Sequence, residues 1–137
     1  MKLLTGQITV DVPWPSRALS PNGRVSHFTL ARLKRLAKSY AATATREAIA
    51  GRAVAYPVGV RLRYDIVTRP KCRRNRDDDN TVAMLKASLD GIAQALGVDD
   101  SQFQIGTVTE GEKSARPHVL ITLTPAVQIV EIRGEIS

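Results

Sequence analysis

The chain has little sulfur, few aromatic rings and no long apolar run, and each scarcity excludes a class of protein. Cys72 is its only cysteine, so neither an intrachain disulfide nor a cysteine metal cluster can form. Aromatic residues make up 4% of the chain, which disfavours a single-strand binder built on stacked bases. No apolar run approaches the roughly 18 residues of a membrane span, and no signal peptide is recognisable. These absences predict a cytoplasmic protein without a membrane partner.

Length and composition indicate an ordinary folded domain. The chain has 137 residues, of which 43% are hydrophobic and 24% charged. That size suits one hydrophobic core rather than two. We therefore predict a single domain over residues 1–137, with its core at about 7–124 and a C-terminal tail at 125–137.

Charge is distributed unevenly along the chain. The formal net charge is +7, but residues 1–76 hold 16 Lys and Arg against 3 acids, whereas residues 77–137 hold 4 against 10. A basic segment of this strength indicates a polyanionic partner such as nucleic acid. The change of sign at Asp77 predicts that polyanion binding and acidic chemistry lie side by side.

Hydrophobic periodicity predicts two helices and four strands. Spacings of three and four between apolar residues mark one helix of roughly 20 residues from Leu30, with Ser26 or Thr29 as its N-cap, and a second from Asn80 to Ala95. Alternation of apolar and polar residues, typical of strands, marks residues 7–12, 58–66, 103–109 and 117–123.

This order of elements predicts an α+β fold: a small mixed β-sheet with two main α-helices packed on it. The turn-like segment between the last two strands predicts that they form a hairpin. On the second helix, the apolar seam predicts packing mostly on the chain's own sheet, with pairing to a second copy as the alternative; the seam consists of Val82, Leu85, Leu89, Ile92 and Leu96.

The segment RRNRDDDN at 73–80 sets the strongest positive run against the strongest negative one. A solvated charged loop is one interpretation. The other is a site where arginines bind an anion and carboxylates hold Mg²⁺ or Mn²⁺, which prefer hard oxygen ligands. If the segment is extended, Asp77 and Asp79 share one face. Asp79 alone also suits a helix N-cap.

The acidic run partly matches two other motifs. A calcium loop of EF-hand type that started at Asp77 would need Gly and Glu where Val82 and Ser88 stand, so it is excluded. The pattern Asp-x-Asp-x-Thr at 77–81 also resembles the nucleophile motif of haloacid-dehalogenase phosphatases. In those enzymes the motif follows a buried hydrophobic strand directly, whereas here RRNR precedes it.

Several short motifs together resemble the RusA family of Holliday junction resolvases. They occur in the family's order over residues 7–124: PWP at 13–15, SPNGR at 20–24, RDDDN at 76–80, LKASLDG at 85–91 and DDSQ at 99–102. The resemblance implies a RusA-like fold and a homodimeric endodeoxyribonuclease, dependent on Mg²⁺ or Mn²⁺, that resolves four-way DNA junctions. Proteins of this family are common in bacteria and their prophages.

Carried over residue by residue, the resemblance implies that Asp77, Asp79 and Asp100 are catalytic metal ligands and that Lys86 is the catalytic lysine. The stretch between Asn80 and Lys86 is about three residues longer than in the shortest family members. Cations around the acidic run would bind the flanking phosphates, which makes affinity dependent on salt; they are Arg69, Lys71, Arg73, Arg74 and Arg76.

A helix from Asn80 to Ala95 would be about 24 Å long, so it would separate Asp79 from Asp100. Either the chain after Gly97 folds back along the helix, or Asp100 of a second copy completes the site. Two other functions fit the same residues: a non-catalytic basic DNA-binding protein, and a nuclease that acts on other branched nucleic acids.

Overall fold

The computed structural model of the chain describes residues 2–21, 23–72 and 78–126, without the side chains of residues 78 and 79. Short 3₁₀ turns lie at Arg17–Leu19 and Asp100–Gln102. The helices and strands are β1 (Leu3–Leu4), β2 (Ile8–Pro13), α1 (His27–Ile49), β3 (Ala53–Val54), β4 (Leu62–Arg69), α2 (Asp78–Met84), α3 (Lys86–Leu96), β5 (Phe103–Glu110) and β6 (His118–Pro125). The predicted α+β class is confirmed. Residues 127–137, most of the predicted tail, lie outside the described residues.

The main sheet has four strands in the order β2-β6-β4-β5, and it is mixed. Strand β6 is antiparallel to both of its neighbours, whereas β4 and β5 are parallel and are connected through α2 and α3. The two-residue strands β1 and β3 form a separate parallel pair.

The predicted hairpin between the last two strands is wrong, because β4 lies between β5 and β6. Strand β4 pairs with β5 on one side and with β6 on the other along most of its length. Strand β5 is mostly exposed or half-buried, as expected at a sheet edge.

The helices cover one face of the sheet, and the core lies between these two layers. Strands β2, β4 and β6 each bury alternate side chains toward the helices, whereas their intervening residues are exposed or half-buried. Four members of the apolar seam join this core: Leu85, Leu89, Ile92 and Leu96. The predicted packing of the seam on the chain's own sheet is confirmed, and pairing with a second copy through it is wrong.

Helix α1 begins at His27, three residues before the predicted Leu30, and its N-cap is Ser26, one of the two predicted candidates. The Ser26 side chain accepts a hydrogen bond from the Thr29 N–H at 3.2 Å, which satisfies one of the free donors of the first turn. Helix α1 packs chiefly on α3 and also on β2. The two helices approach closely at Gly91 of α3, where an added Cβ would meet the backbone carbonyl of Lys38. In the part of the chain that the structure describes, no helix is both long and apolar enough to cross a bilayer.

Three predicted boundaries are corrected. The strand predicted at 58–66 begins only at Leu62, because the preceding residues form a turn in which Gly59 has φ 74° and the Val60 N–H donates to the Pro57 carbonyl at 3.1 Å. The second predicted helix is divided at Leu85, whose ψ of 1° departs from the helical value. Asp79 is not an N-cap, since α2 already begins at Asp78.

Asp65 stabilises an irregularity in the ladder between β4 and β5. The register shifts between Tyr64 and Ile66, and there the Asp65 Oδ1 accepts hydrogen bonds from the Thr107 N–H at 2.7 Å and the Thr107 hydroxyl at 3.0 Å. Arg63 also pairs with this oxygen at 3.0 Å. The Thr107 N–H is the main reason that the pKa of Asp65 is lowered.

This lowered pKa predicts how stability depends on pH. Because the folded pKa lies below the ordinary value of about 3.9, the carboxylate stabilises the fold fully above that pH and loses its effect as pH falls through the folded value. We expect Asp65→Asn to lower the free energy of unfolding at neutral pH, and the deficit to shrink as pH falls below the ordinary pKa of about 3.9. Urea unfolding of both proteins across this range tests it; a deficit independent of pH would contradict it.

Candidate functional site

An acidic turn follows α3 and is held firmly in place. Gly97 ends α3 with φ 71°, and Asp99 then caps the 3₁₀ turn by accepting a hydrogen bond from the Ser101 N–H at 2.9 Å. The Gln102 side chain accepts from the Asp99 N–H at 3.0 Å and donates to the Val60 carbonyl at 2.7 Å. These bonds anchor the turn to the chain just before β4, so the position of Asp100 is set by the core.

The turn brings Asp100 back to α3, beside Asp90. The pKa of Asp100 is raised, first by a hydrogen bond with the Asp99 carboxyl, then by desolvation, and then by the charge of Asp90 and a hydrogen bond with it. The pKa of Asp99 is lowered, chiefly because the Ser101 N–H donates to its carboxylate. Asp99 therefore has a structural partner in the backbone, whereas the neighbours of Asp100 are carboxyl groups.

Asp90 is a site residue that the sequence prediction omitted. It is half-buried on α3, one helical turn after Lys86. The LKASLDG motif contains both residues, and their spacing of four already put them on one helix face. The chain after Gly97 returns along α3 as far as Asp90. How Asp100 joins Asp77 and Asp79, within one chain or across two copies, stays a prediction.

Lys86 lies in a groove between α1 and the start of α3. The groove has a volume of about 340 Å³ and is lined by five charged side chains: Lys34, Arg35, Lys38, Lys86 and Asp90. We call it the cationic groove. Lys86 is exposed, and among the residues that the structure describes it forms no ion pair with Asp90. The predicted catalytic lysine and Asp90 thus line the same groove, and Asp90 also contacts Asp100.

Two of the sequence motifs meet at Asn80. The Ser20 hydroxyl, in the SPNGR motif, donates to the Asn80 Oδ1 at 2.8 Å, and Asn80 belongs to the RDDDN motif. The loop before α1 is therefore tied to the first turns of α2. This contact holds Ser20 and Asn80 together.

Of the other predicted site residues, the structure describes Arg69 and Lys71 fully and Asp79 without its side chain. Arg69 is half-buried at the end of β4, where its Nε donates to the Glu112 carbonyl at 2.9 Å, and Lys71 is exposed just beyond it. Asp79 lies in the first turn of α2, and its side chain is outside the described set. The remaining predicted residues lie outside the described residues: Arg73, Arg74, Arg76 and Asp77.

The carboxylates of Asp90 and Asp100 are chemically suited to bind a hard divalent cation. Side chains of Asp90 and Asp100 that approach one another repel unless a cation or a proton intervenes. Carboxylate oxygens are also the ligands that Mg²⁺ and Mn²⁺ prefer. Within the described ranges, no group of three or more His, Cys, Asp or Glu side chains is arranged to hold a metal ion. Two of the three predicted ligands, Asp77 and the Asp79 side chain, fall outside those ranges.

Fold and site together define a two-layer α+β domain that carries an acidic turn beside a cationic groove. No family model matches the chain. It is 38% identical over 120 residues to an uncharacterized protein of Xylella fastidiosa, an alignment that covers 88% of this chain and 78% of that protein. The chain therefore belongs to the same family as this Xylella fastidiosa protein.

Proposed function

We propose that the chain is a metal-dependent, structure-specific endodeoxyribonuclease that resolves Holliday junctions by paired symmetric phosphodiester hydrolysis in DNA recombination and repair. The observation that carries the proposal is the return of Asp100 to α3 beside Asp90, next to the cationic groove. Carboxylates that repel one another suit a divalent cation, and the adjacent cations suit the phosphates on which it would act.

The site residues have three proposed roles: metal binding, charge stabilisation and phosphate binding. Asp77, Asp79 and Asp100 would hold Mg²⁺ or Mn²⁺, and Asp90 adds a fourth carboxylate beside Asp100. When bound, the metal supplies an activated water and neutralises charge at the phosphate. Lys86 would stabilise the negative charge that develops on the phosphate oxygens. Cations near the acidic run would bind the flanking phosphates: Arg69, Lys71, Arg73, Arg74 and Arg76.

Paired cuts at a four-way junction call for two symmetric sites, so we propose a homodimer. The seam of α3 is buried in the chain's own core, and a two-fold interface must therefore use another surface. A DNA substrate and the free, exposed thiol of Cys72 agree with action in the cytoplasm.

Cleavage of a synthetic four-way junction tests the proposal, with linear duplex as the control substrate and with Mg²⁺, Mn²⁺ or EDTA present. We expect wild type to make paired symmetric nicks only with metal, and Asp79→Asn to bind the junction without cutting it. Asp78→Asn removes the same charge one position away and should keep the activity.

Two other results would replace the proposal. Tight junction binding without cutting in any metal would indicate a non-catalytic basic DNA-binding protein. Equal cutting of duplex and junction, or a preference for flaps or forks, would indicate a nuclease that acts on other nucleic acids.

A further inference from the structure

The stripe of α1 that faces the core changes character halfway along the helix. In its C-terminal half, buried residues recur at helical spacing at Ala41, Thr45 and Ile49. The same stripe continues one and two turns earlier at Lys38 and Lys34, where both side chains are exposed. Positions on the helix face that would otherwise continue the buried stripe are therefore occupied by lysines.

The close crossing of α1 and α3 explains where these lysines lie. Gly91 of α3 approaches the backbone of Lys38, so the helices touch there, and Lys34 and Lys38 line the cationic groove that opens beside the crossing. Lys34 and Lys38 are one turn apart, about 6 Å along the helix. The helix therefore presents successive cations along the groove rather than a single isolated charge.

Among the residues that the structure describes, the positive charges that line the groove outnumber the negative ones. Four cations, Lys34, Arg35, Lys38 and Lys86, face a single carboxylate, Asp90. In the part of the chain that the structure describes, none of the four makes an ion pair or a side-chain hydrogen bond. Like charges held close together repel one another, and a bound polyanion removes that repulsion.

We propose that the cationic groove binds the phosphodiester backbone of a DNA strand and leads it to the carboxylates at Asp90 and Asp100. This inference rests on the proposed nuclease function. It adds a binding surface on α1 that is separate from the arginine-rich segment before α2. Phosphate contacts of this kind set position and affinity without reading sequence, which suits an enzyme that selects DNA by its shape.

A matched pair of double variants tests the groove. Lys34→Gln with Lys38→Gln removes two cations from it, whereas Arg32→Gln with Arg46→Gln removes two exposed cations of α1 that do not line it. Glutamine keeps the helix propensity, so both proteins should stay folded, which their melting temperatures would verify. Binding of a labelled four-way junction is then measured in EDTA between roughly 50 and 200 mM salt.

The groove variant should bind roughly tenfold more weakly, and the slope of log affinity against log salt should fall by about 1.8, at about 0.9 for each phosphate that the protein no longer neutralises. The Arg32 and Arg46 variant should stay close to wild type. Equal losses in the two variants, or no loss in the groove variant, would overturn the inference. So would displacement of DNA by inorganic phosphate beyond the effect of chloride at equal ionic strength, which would indicate a site for a small anion.

Failure of the nuclease proposal and failure of the groove inference give different combinations of cleavage and binding results. If wild type never cuts but the groove variant selectively loses DNA binding, the groove inference holds and the nuclease proposal fails. If wild type cuts and the groove variant binds and cuts normally, the nuclease proposal holds and the groove inference fails.

Discussion

Asp100→Asn is expected to reduce metal-dependent cleavage of a four-way junction by at least about 100-fold, while junction binding stays the same or becomes stronger. The substitution keeps the shape of the side chain but removes a negative ligand from the proposed metal site. Loss of that charge also lessens repulsion of the DNA phosphates and of Asp90. Single-turnover cleavage rates and binding in EDTA separate the two effects.

Asp99→Asn is the matched control for this prediction. It removes the same charge from the neighbouring residue, and asparagine is as good an N-cap as aspartate, so the bond from the Ser101 N–H is kept. We expect cleavage by Asp99→Asn to remain within a few-fold of wild type. Equal losses in both variants would show that only the summed charge of the turn matters, and full activity of Asp100→Asn would remove Asp100 from the site.

The strands were predictable from local pattern, but their order was not. Alternation identified β2 and β6 almost to the residue, because each buries every second side chain. The same rule placed the start of β4 too early, since Val58 and Val60 continue the alternation through a turn. No local pattern states that β4 separates β5 from β6, because strand order depends on pairing between residues that are distant in the sequence.

The acidic site shows the same division between local and tertiary information. The RusA resemblance identified Asp100 as a candidate and gave it a role, and that role stays a prediction. That Asp100 reaches Asp90 depends on two distant features: the left-handed turn at Gly97 and the bond from Gln102 to the Val60 carbonyl. Neither can be derived from the spacing of the aspartates. The place of Lys34 and Lys38 in one groove with Lys86 depends on the crossing at Gly91.

That crossing leads to the second large effect, the loss of stability in Gly91→Ala. An added Cβ would lie 2.9 Å from the carbonyl carbon and 3.1 Å from the Cα of Lys38, and closer still to the carbonyl oxygen. These are backbone atoms, so no change of rotamer relieves the clash and the helices must separate. Overpacking costs about 1–3 kcal/mol, and the better helix propensity of alanine returns about 1 kcal/mol. The net loss is therefore about 0–2 kcal/mol, and because the clashing atoms belong to the backbone we expect its upper end, about 2 kcal/mol, in urea unfolding.

Gly6→Ala is the control, because nothing lies within 4 Å of its added Cβ. It should unfold like wild type, whereas a Gly91→Ala protein as stable as wild type would show that the helices adjust without strain. Separation of α1 from α3 also moves Lys34 and Lys38 away from Lys86 across the cationic groove. Under conditions where Gly91→Ala is still folded, its affinity for a four-way junction should therefore fall even though no charge has been removed. A loss of this kind would tie phosphate binding to the spacing of the two helices, which general charge attraction would not require.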